Sequence, residues 1–170
     1  MRARTFRLIL YATLLALCML QQAALAATGT GTKPVFQIQR VYLKQLSLEQ
    51  PNSPAVFLEQ EPPQVTVALD IGATKLASGL YETSVDITAT LKVKDKTALI
   101  VKARQAGIFT VENVPESQLP QLLAIGCSNI VYPYLRANVA DAITRAGFPP
   151  VHLAEVNWET FYKNREKAKK

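Results

Sequence analysis

An antiparallel α+β domain is what this 170-residue chain predicts, and three observations predict it. Residues 82–94 alternate strictly: Val85, Ile87, Ala89, Leu91 and Val93 face one way, and Glu82, Ser84, Asp86, Thr88, Thr90, Lys92 and Lys94 the other. That period of two marks a sheet with one buried and one wet face. After Pro115 the apolar spacing turns helical. Strands therefore come first and helices after, without the βαβ alternation that builds a parallel sheet.

The elements follow in order. Phe36, Ile38, Tyr42, Leu46 and Leu48 share one parity while Val41 and Leu43 share the other, which predicts a long first strand bent or bulged near residues 40–43. Pro51-Asn52-Ser53-Pro54 ends it, and Glu61-Pro62-Pro63 closes the next loop. Val65, Val67, Leu69 and Ile71 form the second strand, and residues 82–94 the third. Lys94-Asp95-Lys96 is the expected hairpin turn. Leu99, Val101 and Ala103, opposite Ala98, Ile100, Lys102 and Arg104, make the fourth strand. A short helix is expected over 116–125, closed by Gly126. Ser128 or Asn129 then caps a longer helix reaching Ala146, with Val131, Leu135, Val139, Ala142, Ile143 and Ala146 as its apolar stripe. Gly147 closes that helix, and Phe148-Pro149-Pro150 forbids its continuation. A last helix starts at Asn157 and carries Trp158, Phe161 and Tyr162.

The N-terminus reads as a secretory signal peptide over residues 1–26. Arg2, Arg4 and Arg7 precede a short apolar run, and Ala24-Leu25-Ala26 supplies the small residues of a cleavage site. The run falls short of the ~20 residues that a spanning helix needs. Two other readings stand beside it: an uncleaved tether, and a chain that starts at Met19. Residues 27–34 form a small, polar arm, 35–162 the folded domain and 163–170 a basic tail.

Composition narrows the function classes. The net charge of +6 is concentrated at the two ends: three bases lie in the first seven residues and five in the last eight. The middle is close to neutral, which argues against a nucleic-acid face. Only Cys127 follows the signal, so no internal disulfide is expected, and with His152 the only histidine a zinc site is discounted. No nucleophile, base and orienting acid are spaced as a catalytic set, so neither enzyme activity nor a cofactor is expected. Aromatic and apolar residues at element ends, among them Phe57, Leu58, Phe148 and Trp158, exceed what a small core uses. The surplus predicts an oligomer interface or an extended apolar groove.

Several stretches resemble the SecB family of protein-export chaperones: 35–42 (VFQIQRVY), 51–54 (PNSP), 79–82 (GLYE), 105–109 (QAGIF), 127–134 (CSNIVYPY) and 148–158 (FPPVHLAEVNW). The resemblance implies a four-stranded antiparallel sheet packed with a long helix and two shorter ones, assembled as a dimer of dimers. It implies an ATP-independent holdase that binds unfolded preproteins and keeps them translocation-competent. Candidate groove residues are then Tyr42, Leu46, Leu48, Phe57, Leu153 and Phe161. Candidate oligomer contacts are Val101, Ala103 and Gln105 on the fourth strand and Val131, Leu135, Val139 and Ile143 on the long helix. The docking surface for the translocase ATPase SecA corresponds to Gln45, Glu49, Ile100 and Lys102, but family acids are replaced by Gln45 and Lys102. The acidic tail of the family is here basic, able to touch anionic membrane weakly. Two alternatives follow: an exported envelope holdase uncoupled from SecA, or an oligomeric assembly module that binds no clients. The family works in the cytoplasm, whereas the signal, if used, places this chain in the periplasm.

Overall fold

The computed structural model describes residues 33–168. Contacts divide the chain into two units, Met1–Lys33 and Pro34–Lys170, and the fold is that of the second. The expected signal peptide, the arm up to residue 32 and the last two lysines of the tail lie outside the described residues.

Four long strands, β1 (Val35–Glu49), β2 (Gln64–Ala77), β3 (Leu80–Val93) and β4 (Lys96–Glu112), form one antiparallel sheet in the order β1-β4-β3-β2. The strand with the strictest alternation, β3, therefore sits inside the sheet, and the strand of mixed parity, β1, at its edge. A 3-10 turn, Ala55–Leu58, interrupts the β1–β2 loop.

Helices follow the strands, as the change of period predicts. A turn Leu119–Gln121 runs without a break into a π-helical segment, Leu122–Cys127, and then into α1, Ser128–Arg145. The two helices expected on either side of Gly126 are thus one. Gly126 lies within the π segment, where one extra residue per turn widens the helix instead of ending it. Ser128 does not cap: it is fully buried and its hydroxyl makes no hydrogen bond. The other end matches expectation. Gly147 adopts a left-handed φ of 88°, Phe148 N–H donates to the Ile143 carbonyl at 3.2 Å and Gly147 N–H to that of Thr144 at 3.0 Å, which is the geometry of a Schellman stop. The last helix, α2 (Trp158–Ala168), begins where the Asn157 side chain accepts the Thr160 N–H at 2.9 Å.

The core forms where α1 lies across β3 and β4. Val85, Ile87, Ala89 and Leu91 of β3 and Leu99, Val101, Ala103 and Phe109 of β4 meet Val131, Leu135, Val139 and Ile143, all nearly or fully buried. Backbone approach is close: a methyl group at Gly107 would stand 2.7 Å from the Phe109 ring and 3.0 Å from Val131. Gln105, also buried, accepts a hydrogen bond from Asn138 of α1 at 2.8 Å, so its side-chain oxygen is satisfied under the helix.

This burial corrects one expectation. Val101, Ala103, Gln105, Val131, Leu135, Val139 and Ile143 were candidates for contact between subunits. All seven are at most 4% exposed within a single chain. Their side chains seat α1 on its own sheet, so none reaches a second copy while α1 stays in place.

Candidate functional site

Two bulges in β1 decide which side chains share a face. Pairing with β4 shifts between Ile38 and Arg40 and again between Leu43 and Gln45. Each shift adds one residue, and one residue turns every later side chain to the other face. Phe36 and Ile38 stand opposite Val111 and Phe109. After the first bulge Val41 and Leu43 stand opposite Gly107 and Gln105, and after the second Leu46 and Leu48 stand opposite Ala103 and Val101. All six partners point to the α1 side. The six apolar residues of β1 therefore share that side despite their mixed parity.

Helix α1 does not cover this strip. Phe36, Ile38, Leu43, Leu46 and Leu48 are 39–52% exposed. The strip is rooted in the core at one end, where the Phe36 ring stacks on buried Phe109 with 5.7 Å between centroids. Beyond its other end Gln50 donates to the Ala146 carbonyl at the close of α1 at 2.6 Å, and Phe57 packs on Phe148 at 5.2 Å. A contiguous exposed apolar patch on a folded domain marks a surface that takes a partner. Full burial of a Leu or Phe side chain is worth about 1.5–3 kcal/mol, so half-exposed ones retain roughly 1 kcal/mol each for an occupant. Across the same face the β2 edge exposes Val65 and Val67.

The candidate groove residues divide. Leu46, Leu48 and Phe57 lie on or next to the strip. Tyr42 does not: the bulges turn it to the opposite face, where its hydroxyl donates to Glu82 beside Lys44, whose ammonium lies 2.8 Å from the same carboxylate. Lys44 first and then Tyr42 hold the Glu82 carboxyl below its ordinary range, while donating to Glu82 raises the Tyr42 hydroxyl. Leu153 is only 4% exposed and belongs to the core, and half-buried Phe161 packs edge-on against Trp158 at 5.8 Å. Parity counting missed Phe36, Ile38 and Leu43. The signal that finds them was in the sequence: Val41 and Leu43 break the parity of their neighbours twice within one strand.

The wet face gathers the four positions expected at the SecA surface. Glu49 pairs with Ile100 and Gln45 with Arg104, and Ser47 stands opposite Lys102. Gln45, Lys102, Arg104 and Asp86 line a dent of about 190 Å³. Arg104 is tied to Asp86, whereas Lys102 has no ion-pair partner among the described residues. Glu49 is thus the only acid among the four.

Burial pushes the Cys127 thiol up to about 11, away from the thiolate form. Among the described residues no cluster of three or more His, Cys, Asp or Glu groups converges on a metal position, and no helix is long and apolar enough to cross a membrane.

Comparison with known proteins decides the family. Residues 29–169 match the family described as preprotein translocase subunit SecB. The chain belongs to the SecB family. It is 64% identical over 136 residues to the protein-export protein SecB of Janthinobacterium sp. (strain Marseille), covering 80% of this chain and 83% of that one, and equally identical to that of Herminiimonas arsenicoxydans. To the Acidovorax sp. (strain JS42) protein it is 58% identical, over 79% of this chain and 90% of the relative. Among solved structures, a SecB-like chaperone of Mycobacterium tuberculosis in complex with an antitoxin peptide superposes with a TM-score of 0.58 at 15% identity, over 72% of this chain and 91% of that one. SecB proteins are non-enzymatic holdase chaperones of protein export, normally found in the cytoplasm, and this chain shares their fold and family.

Proposed function

We propose that the chain holds unfolded and precursor polypeptides on the apolar strip of β1, without nucleotide or catalysis, and so keeps them export-competent. The observation that carries this is the pair of bulges, which aligns Phe36, Ile38, Val41, Leu43, Leu46 and Leu48 on one face, with Val41 half-buried and the other five exposed. Unfolded chains present apolar segments of no fixed sequence, and a long strip without a shaped pocket suits them. Suppression of aggregation tests the reading: at stoichiometric tetramer the wild type keeps a denatured precursor soluble, and a pure assembly module leaves it to precipitate. We take the assembly to be the family's homotetramer, which light scattering measures directly.

A second reading concerns the compartment and the partner. The cationic Lys102 and neutral Gln45 at positions that dock SecA favour a holdase uncoupled from it, because like charge against a desolvated interface costs several kcal/mol. The signal-like layout of residues 1–26 points the same way, towards the envelope. Cell fractionation with mass spectrometry of the N-terminus separates the readings: a mature start at Ala27 in the periplasm supports export, and an intact cytoplasmic chain supports the ordinary family location. Exposed Lys163 and Lys167 on α2 give the tail its weak attraction to anionic vesicles, which salt should abolish.

A further inference from the structure

Leu58 is 84% exposed, the highest value among the exposed large apolar side chains of the described residues. It sits on the 3-10 turn of the β1–β2 loop, and an apolar tip on a long loop ordinarily folds back onto the nearest core. Here the loop is pinned on both sides of the tip. Upstream, Asn52 donates to the Thr97 carbonyl at 2.9 Å and Val56 is buried against Val93 and Ala98. Immediately downstream, Glu59 is gripped by the turn between β3 and β4: Lys94 donates to its Oε2 at 2.6 Å and Lys96 to its Oε1 at 3.1 Å. Lys94 takes a left-handed φ of 54° at that turn. Both carboxylate oxygens are thus engaged, each by its own ammonium, and the hydrogen bond from Lys94 leads the causes that hold the Glu59 carboxyl below its ordinary range.

We propose that Glu59 is a positioning residue for client capture: clamped between Lys94 and Lys96, it keeps Leu58 turned out to solvent beside Phe57, which rests on Phe148, and Leu58 there meets an apolar segment of an unfolded polypeptide. The proposal rests on the holdase reading above. The clamp lysines are about half exposed, so added salt screens the clamp. Apolar contact itself is not weakened by salt in this way. Capture through this turn therefore falls with ionic strength although the contact with the client is apolar, a dependence that a merely structural loop would not produce.

The experiment uses the full chain and a permanently unfolded, fluorescently labelled carboxymethylated protein, with affinity measured from low salt to 0.5 M NaCl. Glu59→Gln and Leu58→Ser should each weaken binding at low salt by about three- to tenfold, the range that two exposed ion pairs support. They should leave the thermal midpoint unchanged, and Glu59→Gln should lose the salt dependence. Lys94 also lies 3.7 Å from Glu61, so charge exchange of the whole cluster, Glu59→Lys and Glu61→Lys with Lys94→Glu and Lys96→Glu, should restore affinity to within about twofold of wild type. Wild-type capture that Glu59→Gln leaves unchanged at low salt overturns this proposal alone. A wild-type chain that captures nothing overturns the holdase reading and the proposal together.

Discussion

The middle of the sheet and its β1 edge carry the same kind of residue on the same face, and they end differently. On β3 and β4 a period of two, unbroken from Val85 to Leu91 and from Leu99 to Val111, delivers Val85, Ile87, Val101 and Ala103 under α1, where they are at most 4% exposed. On β1 an interrupted period delivers Leu43, Leu46 and Leu48 to the same side with no helix above them, and they stay about two-fifths exposed. Regular alternation builds the core. Bulged alternation builds a surface: β1 keeps its apolar residues together at the edge of the sheet, where α1 leaves them exposed. If the strip holds clients as proposed, stability and function fall to neighbouring strands, and substitutions can address one without the other.

The covered half should break first and most. Leu135→Asp places an unpaired charge in the centre of the core and should cost more than about 4 kcal/mol, read as loss of the cooperative urea transition. A chain that merely changes its oligomeric state would return Leu135 to an interface. Gly107→Ala is milder. Its new methyl group meets the Phe109 ring at 2.7 Å, and overpacking of that kind costs about 1–3 kcal/mol. An unchanged urea midpoint would mean that α1 sits further from the sheet than described.

On the wet face, Gln45→Asp with Lys102→Glu should create measurable SecA binding by calorimetry, a gain on the order of 1–3 kcal/mol if the surface docks as in the family. Binding no stronger than wild type would remove these charges from the account. The smallest effect is alkaline. Burial raises the Cys127 thiol from its ordinary 9.0 to about 11, so the folded state keeps the neutral form longer than the unfolded one. Its contribution to stability is fully present below pH 9 and is lost as pH rises towards 11. Cys127→Ser should flatten that part of the stability profile, and alkylation of the wild type should track unfolding.

How much of this was legible depends on the element. Residues 82–94 and the stop at Gly147-Phe148-Pro149-Pro150 could be read directly, because each is governed by neighbours in sequence. The break expected at Gly126 was not, because packing of Leu123 and Cys127 on the sheet carries the helix through a glycine that local propensity would use as a stop. The candidate site was half legible. Leu46, Leu48 and Phe57, expected at a groove, lie on or beside the exposed strip. Tyr42 was assigned to the wrong face, since a bulge inverts parity without changing composition. Val131, Leu135, Val139 and Ile143 form a true apolar stripe, but a stripe does not say whether it meets its own sheet or another subunit.

The separation of core from strip is tested most directly by Leu46→Ser with Leu48→Ser in one chain. Urea denaturation and suppression of precursor aggregation are measured on the same preparation. The account predicts a stability loss of only about 1–3 kcal/mol with the cooperative transition kept, because each side chain is already about two-fifths exposed, together with a loss of most of the suppression. A double variant that protects the precursor as well as wild type, at unchanged stability, would contradict it.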